Sequence, residues 1–379
     1  MCLRRNEMTL KRFAAVALCL AMVFCTVFAE ETELKTQLSV HFLNMGRNDA
    51  ILIECNGEAA FIDGGGHGRG EKIVTYLKEQ GVESLKYYIG THGHVDHVGC
   101  TGYILNEIPA ECILTNYSLA IEAMLSDCKN RAEKDAVNGT EVKYVERGDV
   151  FYIGEAILEC IGPDKITRWA SYKDGNENSN SLLLRLTFGN HSFVLTGDTT
   201  NDVLQRMLKE EPGLFDCTVF KSPHHDVGLA DDSAKLISCE YFIFSTASDD
   251  IPKQNRINCA RKMGARVFIT SYNNAGTTVF ATDGETMTHT TEYAITKMKP
   301  SVSSSITMTA GNRKSTTVLI HPTRMVDTLH ATSTDESVAY YDPNTKYIYA
   351  VGPGECTIRI IAFDDTCAEI QVKVKEKKK

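Results

Sequence analysis

Thr91-His92-Gly93-His94-Val95-Asp96-His97 packs three imidazoles and a carboxylate into a single short stretch. Imidazole and carboxylate together suit zinc, manganese or iron. Spacings of one and two residues let the side chains of a tight turn converge on neighbouring cations. Just upstream, Lys86 to Ile89 reads as a short buried strand that delivers the chain to this loop. A chance cluster of surface histidines has no reason to follow such a strand, so the stretch points to metal-assisted hydrolysis.

Working outward, Leu38 to Leu43, Ala50 to Cys55 and Ala59 to Ile62 are apolar runs bounded by turn residues, which predicts a meander at the start of a sheet. A helix is expected over Glu71 to Glu79, stopping at Gly81. Ser181 to Thr187 and His191 to Thr196 predict a hairpin about Gly189-Asn190. Cys217 to Lys221 reads as another strand, and Tyr241 to Ser245 and Arg266 to Thr270 as strands flanking a helix. Strands interleaved with helices make this region α/β.

The ordered motifs Phe42-Leu43-Asn44-Met45-Gly46, Phe61-Ile62-Asp63-Gly64-Gly65, the histidine loop, Leu195-Thr196-Gly197-Asp198 and Phe220-Lys221-Ser222-Pro223-His224-His225 together resemble the metallo-β-lactamase superfamily. Within it they are most similar to the subgroup holding the hydrolase domain of ComEC-type competence proteins. The resemblance implies an αββα sandwich over residues 36–297 and two divalent metal ions, zinc with manganese as the alternative. It implies that His92 and His94 ligate one ion, that Asp96 and His97 hold the second, and that Asp198 bridges both. A carboxylate shared by two cations fixes their separation at about 3.5 to 4 Å. The last ligand falls on His224 or its neighbour, with His224 preferred. His225 is then left to protonate a leaving group, and Asp96 to orient the attacking water or accept its proton. Lys221 either snorkels at a strand end or neutralises a phosphate oxygen. Asp63 is expected to orient a ligand histidine, Asp49 to be structural, and His41 and His191 to be strand and turn residues.

The chain departs from the family pattern at several points. Asn176-Glu177-Asn178-Ser179-Asn180-Ser181 stands where other branches place a further histidine. An amide or hydroxyl is a weaker ligand than imidazole, so one ion is expected to be loosely held. Arg47-Asn48 replaces a Gln-Gly pair, Cys100 a second glycine, and Asp226-Val227 a Gly-Ser pair. These changes bear on the substrate more than on the metals. The polar loop Asp164 to Asn180, with Arg168, Trp169, Tyr172 and Lys173, is the length of loop that shapes a site mouth or simply connects two strands.

The N-terminus has Arg4, Arg5, Lys11 and Arg12, then an uncharged run from Phe13 to Phe28, then Ala29 before Glu30-Glu31. That is the pattern of a secretory signal peptide over residues 1–29, too short for a membrane span. The mature chain is expected to be secreted or surface-bound, with no transmembrane segment. The chain has 13 cysteines. Three of them fall in the signal, and the rest lack CxxC pairs, which argues against a zinc ribbon or disulfide scaffold and for free thiols.

After Met298 the composition shifts to Ser, Thr and Lys. Strand-like runs then follow, broken at Asn312, Asp342-Pro343-Asn344 and Gly352-Pro353-Gly354. Ser337-Val338-Ala339-Tyr340, Ile348-Tyr349-Ala350-Val351 and Gly354-Glu355-Cys356-Thr357-Ile358-Arg359-Ile360 resemble a group 2 bacterial immunoglobulin-like domain, placed at 302–376. The resemblance implies a small all-β sandwich, acting as a spacer or contacting a cell surface or polysaccharide.

A formal charge of -9 argues against broad nucleic-acid binding by net attraction, yet bound cations or a local basic rim can still draw a phosphate-bearing substrate. Three function classes stand: an exported phosphodiesterase acting on nucleic acid or a phosphodiester-bearing cell-wall polymer; a hydrolase of lactones, thioesters or β-lactams; and a non-catalytic surface-binding protein that uses its C-terminal module.

Overall fold

The computed structural model describes residues 37–118, 121, 140–166, 177–227 and 229–377. The segment read as a signal peptide, and Arg168, Trp169, Tyr172 and Lys173, lie outside the described residues.

Among the described residues, fifteen strands build the first part of the chain. They are β1 (Leu38–Phe42), β2 (Ile51–Cys55), β3 (Glu58–Ile62), β4 (Leu85–Gly90), β5 (Ala110–Thr115), β6 (Glu141–Tyr144), β7 (Val150–Ile153), β8 (Ala156–Gly162), β9 (Leu183–Phe188), β10 (His191–Leu195), β11 (Cys217–Lys221), β12 (Cys239–Phe244), β13 (Arg266–Ile269), β14 (Thr278–Thr282) and β15 (Met287–Thr291). One sheet has the order β15-β14-β1-β2-β3-β4-β5-β6 and the other β13-β12-β11-β10-β9-β8-β7. Helices among the described residues include α1 (Gly70–Glu79), α2 (Val95–Val98), α3 (Thr101–Glu107), α4 (Asn201–Glu210), α5 (Asp231–Ala234) and α6 (Gln254–Lys262).

Alternation along the strands explains the layering. Val40, Ile53, Ala60 and Ile62 of one sheet face Leu184, Leu186, Phe193, Leu195 and Val219 of the other in a shared core. The opposite faces turn outward to helices: Leu52, Phe61 and Tyr88 cover Ile73, Leu77 and Ile104, while Val194, Phe220 and Phe242 cover Leu204, Met207 and Ile257. The result is an αββα sandwich. In α1, Ile73, Val74 and Leu77 recur at helical spacing and are buried; Leu77→Ala would cost about 2–5 kcal/mol in that packed layer. The helix stops where Gly81 adopts φ +81, which lets Val82 N donate to Leu77 O at 2.9 Å.

Parallel pairing of β3-β4-β5 and of β10-β11-β12-β13 brings the C-terminal ends of these strands to one rim. In open α/β sheets that rim is where ligands bind. The loops after β3, β4, β10, β11 and β12 all open there.

Beyond Thr291 the chain is all β. Lys297–Pro300 pairs with Val318–His321. Ser305–Thr309, Cys367–Lys375, Gly354–Ile361 and His330–Ser333 form a four-stranded sheet, and Arg313–Ser315, Tyr347–Ala350 and Ala339–Asp342 a three-stranded one. This part docks firmly. Arg261 Nη2 donates to Asp327 O at 2.9 Å, Arg266 Nη2 to Ala362 O at 3.1 Å, and His289 Nε2 to Phe363 O at 2.8 Å. The apolar core runs on from Phe268 and Phe280 to Ile358, Ile360 and Phe363. Gln37–Lys379 therefore makes one compact unit.

Candidate metal centre

Asp63 follows β3, is fully buried and has φ 58. Its Oδ1 accepts from Thr91 N at 2.9 Å, and its Oδ2 from Thr91 Oγ1 at 2.8 Å and His97 Nδ1 at 2.7 Å. One carboxylate thus ties together both ends of the histidine loop. Burial pushes the Asp63 carboxyl up, and the neighbouring His97 opposes that shift. With its proton held on Nδ1, His97 presents the Nε2 lone pair to the other side.

His97 Nε2 lies 3.0 Å from Asp198 Oδ1, yet both atoms are buried and neither makes a hydrogen bond. Two buried ligand atoms this close with no hydrogen bond point to a missing partner, and a divalent cation between them would satisfy both. Without a cation, burial lowers the His97 pKa, but Asp198 and Asp63 outweigh it and hold the group well above 6.5. Burial likewise opposes ionisation of Asp198, and His97 with His225 overrides it, keeping Asp198 well below 3.8. Asp96, His97, Asp198 and His225 bring one ligand atom each within 4.8 Å of one another. His92 is fully buried, its Nε2 is 3.0 Å from His94 Nδ1, and its ring centroid is 4.2 Å from that of His97. Burial holds His92 well below 6.5, in the neutral form that binds metals. The donor set is nitrogen and oxygen throughout, which fits zinc or manganese.

Tight turns aim these groups. Gly197 has φ +49, and a β-carbon there would lie 3.0 Å from Thr91 Oγ1, so only glycine closes the turn that presents Asp198. Asp198 N donates to Ser181 Oγ at 3.0 Å. After Pro223 both His224 (φ 49) and His225 (φ 59) adopt left-handed backbone, anchored where His224 N donates to Gly197 O at 3.1 Å. Such backbone costs on the order of 1 to 3 kcal/mol per residue and marks a functional constraint.

That double turn reverses the expected order of the two histidines. His225 is 0% exposed and its Nε2 lies 3.3 Å from Asp96 Oδ2 and 3.6 Å from Asp198 Oδ2. The His224 side chain is 32% exposed, its Nε2 is 3.7 Å from Asp198 Oδ2, and Asn178 Nδ2 lies 3.4 Å from its Nδ1. Burial keeps His224 below its usual pKa. The structure thus places His225, and not His224, inside the cluster. Lys221 also departs from expectation. It is 1% exposed, pairs with Asp49, and donates from Nζ to Gly197 O at 3.0 Å. Val219 and Lys221 share the inward face of β11, so the ammonium is held among buried groups beneath the cluster.

Two residues carry more than the sequence revealed. Asp49, read as structural, is 2% exposed and accepts from Ser245 Oγ at 2.6 Å, while that hydroxyl lies 3.2 Å from His225 Nδ1. Glu177 is 0% exposed; its Oε1 accepts from Gly93 N at 2.7 Å and Ser118 Oγ at 2.8 Å, and its Oε2 from Asn180 Nδ2 at 2.9 Å. It pins the peptide between His92 and His94. An acid set among the amides and hydroxyls of residues 176–181 was the available signal. His41 and His191 lie in β1 and at the start of β10, away from the cluster.

Residues 44–227 match the family model of the metallo-beta-lactamase superfamily. ComE operon protein 3 of Bacillus subtilis (strain 168) is 25% identical over 157 residues, 41% of this chain, and the chain spans only 19% of that relative's length. Among solved structures, a diphosphatase of the PhnP family is 11% identical, with a TM-score of 0.35 over 62% of this chain and 87% of its own. A metallo-beta-lactamase of Cronobacter sakazakii is 13% identical, with a TM-score of 0.31 over 41% of this chain and 57% of its own. Neither likeness is close enough to transfer an activity.

Proposed function

We propose, on the premise that the chain carries a metallo-beta-lactamase superfamily domain over residues 44–227, that it is an exported, metal-dependent phosphodiesterase acting on nucleic acid or a phosphodiester-bearing cell-wall polymer. The observation that supports it most is the buried pair of His97 Nε2 and Asp198 Oδ1, facing each other at 3.0 Å without a hydrogen bond beside Asp96 and His225.

We assign His92 and His94 to one divalent ion, zinc or manganese, and Asp96, His97 and His225 to a second, with Asp198 shared. Bound cations would polarise the scissile oxygen and lower the pKa of an attacking water. The chain's own residues then do the rest. Asp96, held strongly acidic by His225 and His97 despite its burial, stays ionised and can orient that water through a free carboxylate oxygen. Asn178 Nδ2 donates toward His224 Nδ1, which leaves the His224 proton on Nε2, on the half-exposed side of the ring, where it can bond a departing oxygen. Lys221 and Asp49 lock the floor beneath. The charge of two cations over a carboxylate-rich floor favours an anionic ester, and the Lys221-Ser222-Pro223-His224-His225 motif supports the same substrate class.

The C-terminal all-β region is read as the bacterial immunoglobulin-like module, contacting a cell surface or polysaccharide. Its small docked sheets and the motifs from Ser337 to Ile360 support that reading.

The test is turnover by full-length protein loaded with zinc or with manganese, against bis(p-nitrophenyl) phosphate, a lactone, a thioester and a β-lactam. Cleavage of the phosphodiester above the other three is expected. Turnover confined to the non-phosphorus esters or the β-lactam would replace this reading with the carboxyl-ester one.

A further inference from the structure

Two arginines stand at the lip of the metal centre and have no part in its ligand set. Arg47 lies in the loop between β1 and β2. Its Nη1 is 3.4 Å from Asp226 Oδ1 and 2.5 Å from Asp250 Oδ2. Asp226 follows His225 directly, so this guanidinium lies one residue from the cluster. Only Nη1 is engaged; Nε and Nη2 have no partner among the described residues. Arg69 is exposed, with no ion pair or side-chain hydrogen bond among the described residues. Its Nη2 lies 3.6 Å from the point a β-carbon on Gly46 would occupy, next to Arg47. The loop that carries it also touches the centre: a β-carbon on Gly66 would lie 3.7 Å from Asp96 Cα.

Both arginines therefore border Gly46, and each has N–H groups with no partner among the described residues. A planar fork with free N–H groups matches a phosphate or carboxylate in two-bond geometry. Arg47's bridge to Asp250, whose side chain is 50% exposed, is weak enough for a ligand to share it.

We infer that Arg47 and Arg69 form an anion subsite at the lip of the metal centre, which takes a second phosphate neighbouring the scissile phosphodiester. The inference rests on the phosphodiesterase reading and deepens it: the substrate is a chain of phosphodiesters, not an isolated one. The reaction must then shorten polymers whose neighbouring phosphates engage the lip.

The experiment uses metal-replete full-length protein and two substrates with the same leaving group, thymidine 5′-(p-nitrophenyl phosphate) with and without a 3′-phosphate. The readout is the ratio of their kcat/KM values. Wild type should favour the bisphosphate by roughly tenfold, and Arg47→Gln and Arg69→Gln should each bring the ratio toward one. Arg47→Lys, which keeps the charge and loses the fork, should fall between. A phosphate-capped dinucleotide and a glycerol-phosphate trimer, run the same way, separate the two sources of neighbouring phosphate by which one loses rate in the variants.

Calorimetric binding of thymidine 3′,5′-bisphosphate keeps this proposal separate from the parent reading. No phosphodiester turnover, with bisphosphate binding weakened roughly tenfold by either glutamine, would sink the phosphodiesterase and leave the subsite standing. Turnover with a ratio near that of wild type in both glutamine variants would overturn the subsite.

Discussion

Asp63 Oδ2 lies 2.7 Å from His97 Nδ1, and that single bond decides which nitrogen of His97 faces the candidate metal cluster. Both groups are fully buried. The same carboxylate holds Thr91 through its backbone and its hydroxyl, so loop position and imidazole tautomer are set together. Asp63→Asn keeps the size but leaves an amide that can orient the ring the wrong way. Affinity for zinc, measured by competition with a chelator, should fall about 10 to 100-fold while far-UV circular dichroism is unchanged. Unaltered affinity would mean the bond is incidental.

The two histidines of the double turn separate cleanly by variant. His225→Ala should remove a ligand, so zinc content falls and activity with it. His224→Ala should keep its metal and lose kcat, about 100 to 10,000-fold if the ring bonds the leaving oxygen, with the pH dependence of kcat altered. The opposite pattern, metal lost from the position 224 variant alone, would restore the order expected from the sequence.

Glu177 is predicted to govern the His92 and His94 pair without touching an ion. Glu177→Gln retains an oxygen acceptor for Gly93 N but turns an NH2 toward Asn180 Nδ2, leaving two donors face to face. In cobalt-substituted protein the visible d–d bands should shift and one ion should be released at lower chelator concentration. Glu177→Asp, which keeps the charge, should recover part of the change. Identical spectra in all three proteins would reduce Glu177 to a packing role.

Docking of the C-terminal region depends on a partly shielded charge pair. The Arg261 side chain is 4% exposed and its Nη2 lies 2.8 Å from Asp327 Oδ1, on a side chain 29% exposed. Asp327→Ala strands a buried cation and should destabilise by about 2 kcal/mol, whereas Arg261→Met, which removes the charge, should cost less. Chemical denaturation of the two variants checks the order. Equal losses would show that the pair is already solvated.

How much of this could be read from the sequence follows from where each signal lies. The histidine loop, the Thr196-Gly197-Asp198 turn and the Lys221-to-His225 motif are contiguous, so their residue types and spacing suffice. Helix α1 and the β9–β10 hairpin announced themselves through periodicity and turn residues, and came within two residues of their observed ends. Strands β6 and β7 are largely exposed and lack a regular apolar alternation, so nothing marked them. The support of the site was hidden for a different reason. Asp49 and Ser245 meet across 196 residues, and Glu177 and Gly93 across 84, contacts created only when the two sheets stack. Lys221 misled because β11 is apolar on both faces, which conceals the side to which its last residue points.

The most direct test of the account is metal content. Full-length protein, dialysed with excess zinc and then against metal-free buffer, should retain about two ions per chain by plasma mass spectrometry. Asp198→Asn should retain one or fewer, since the proposed assignment has both ions share that carboxylate. Wild type that emerges with no zinc or manganese after metal-replete loading would contradict the two-ion centre and the hydrolase built on it.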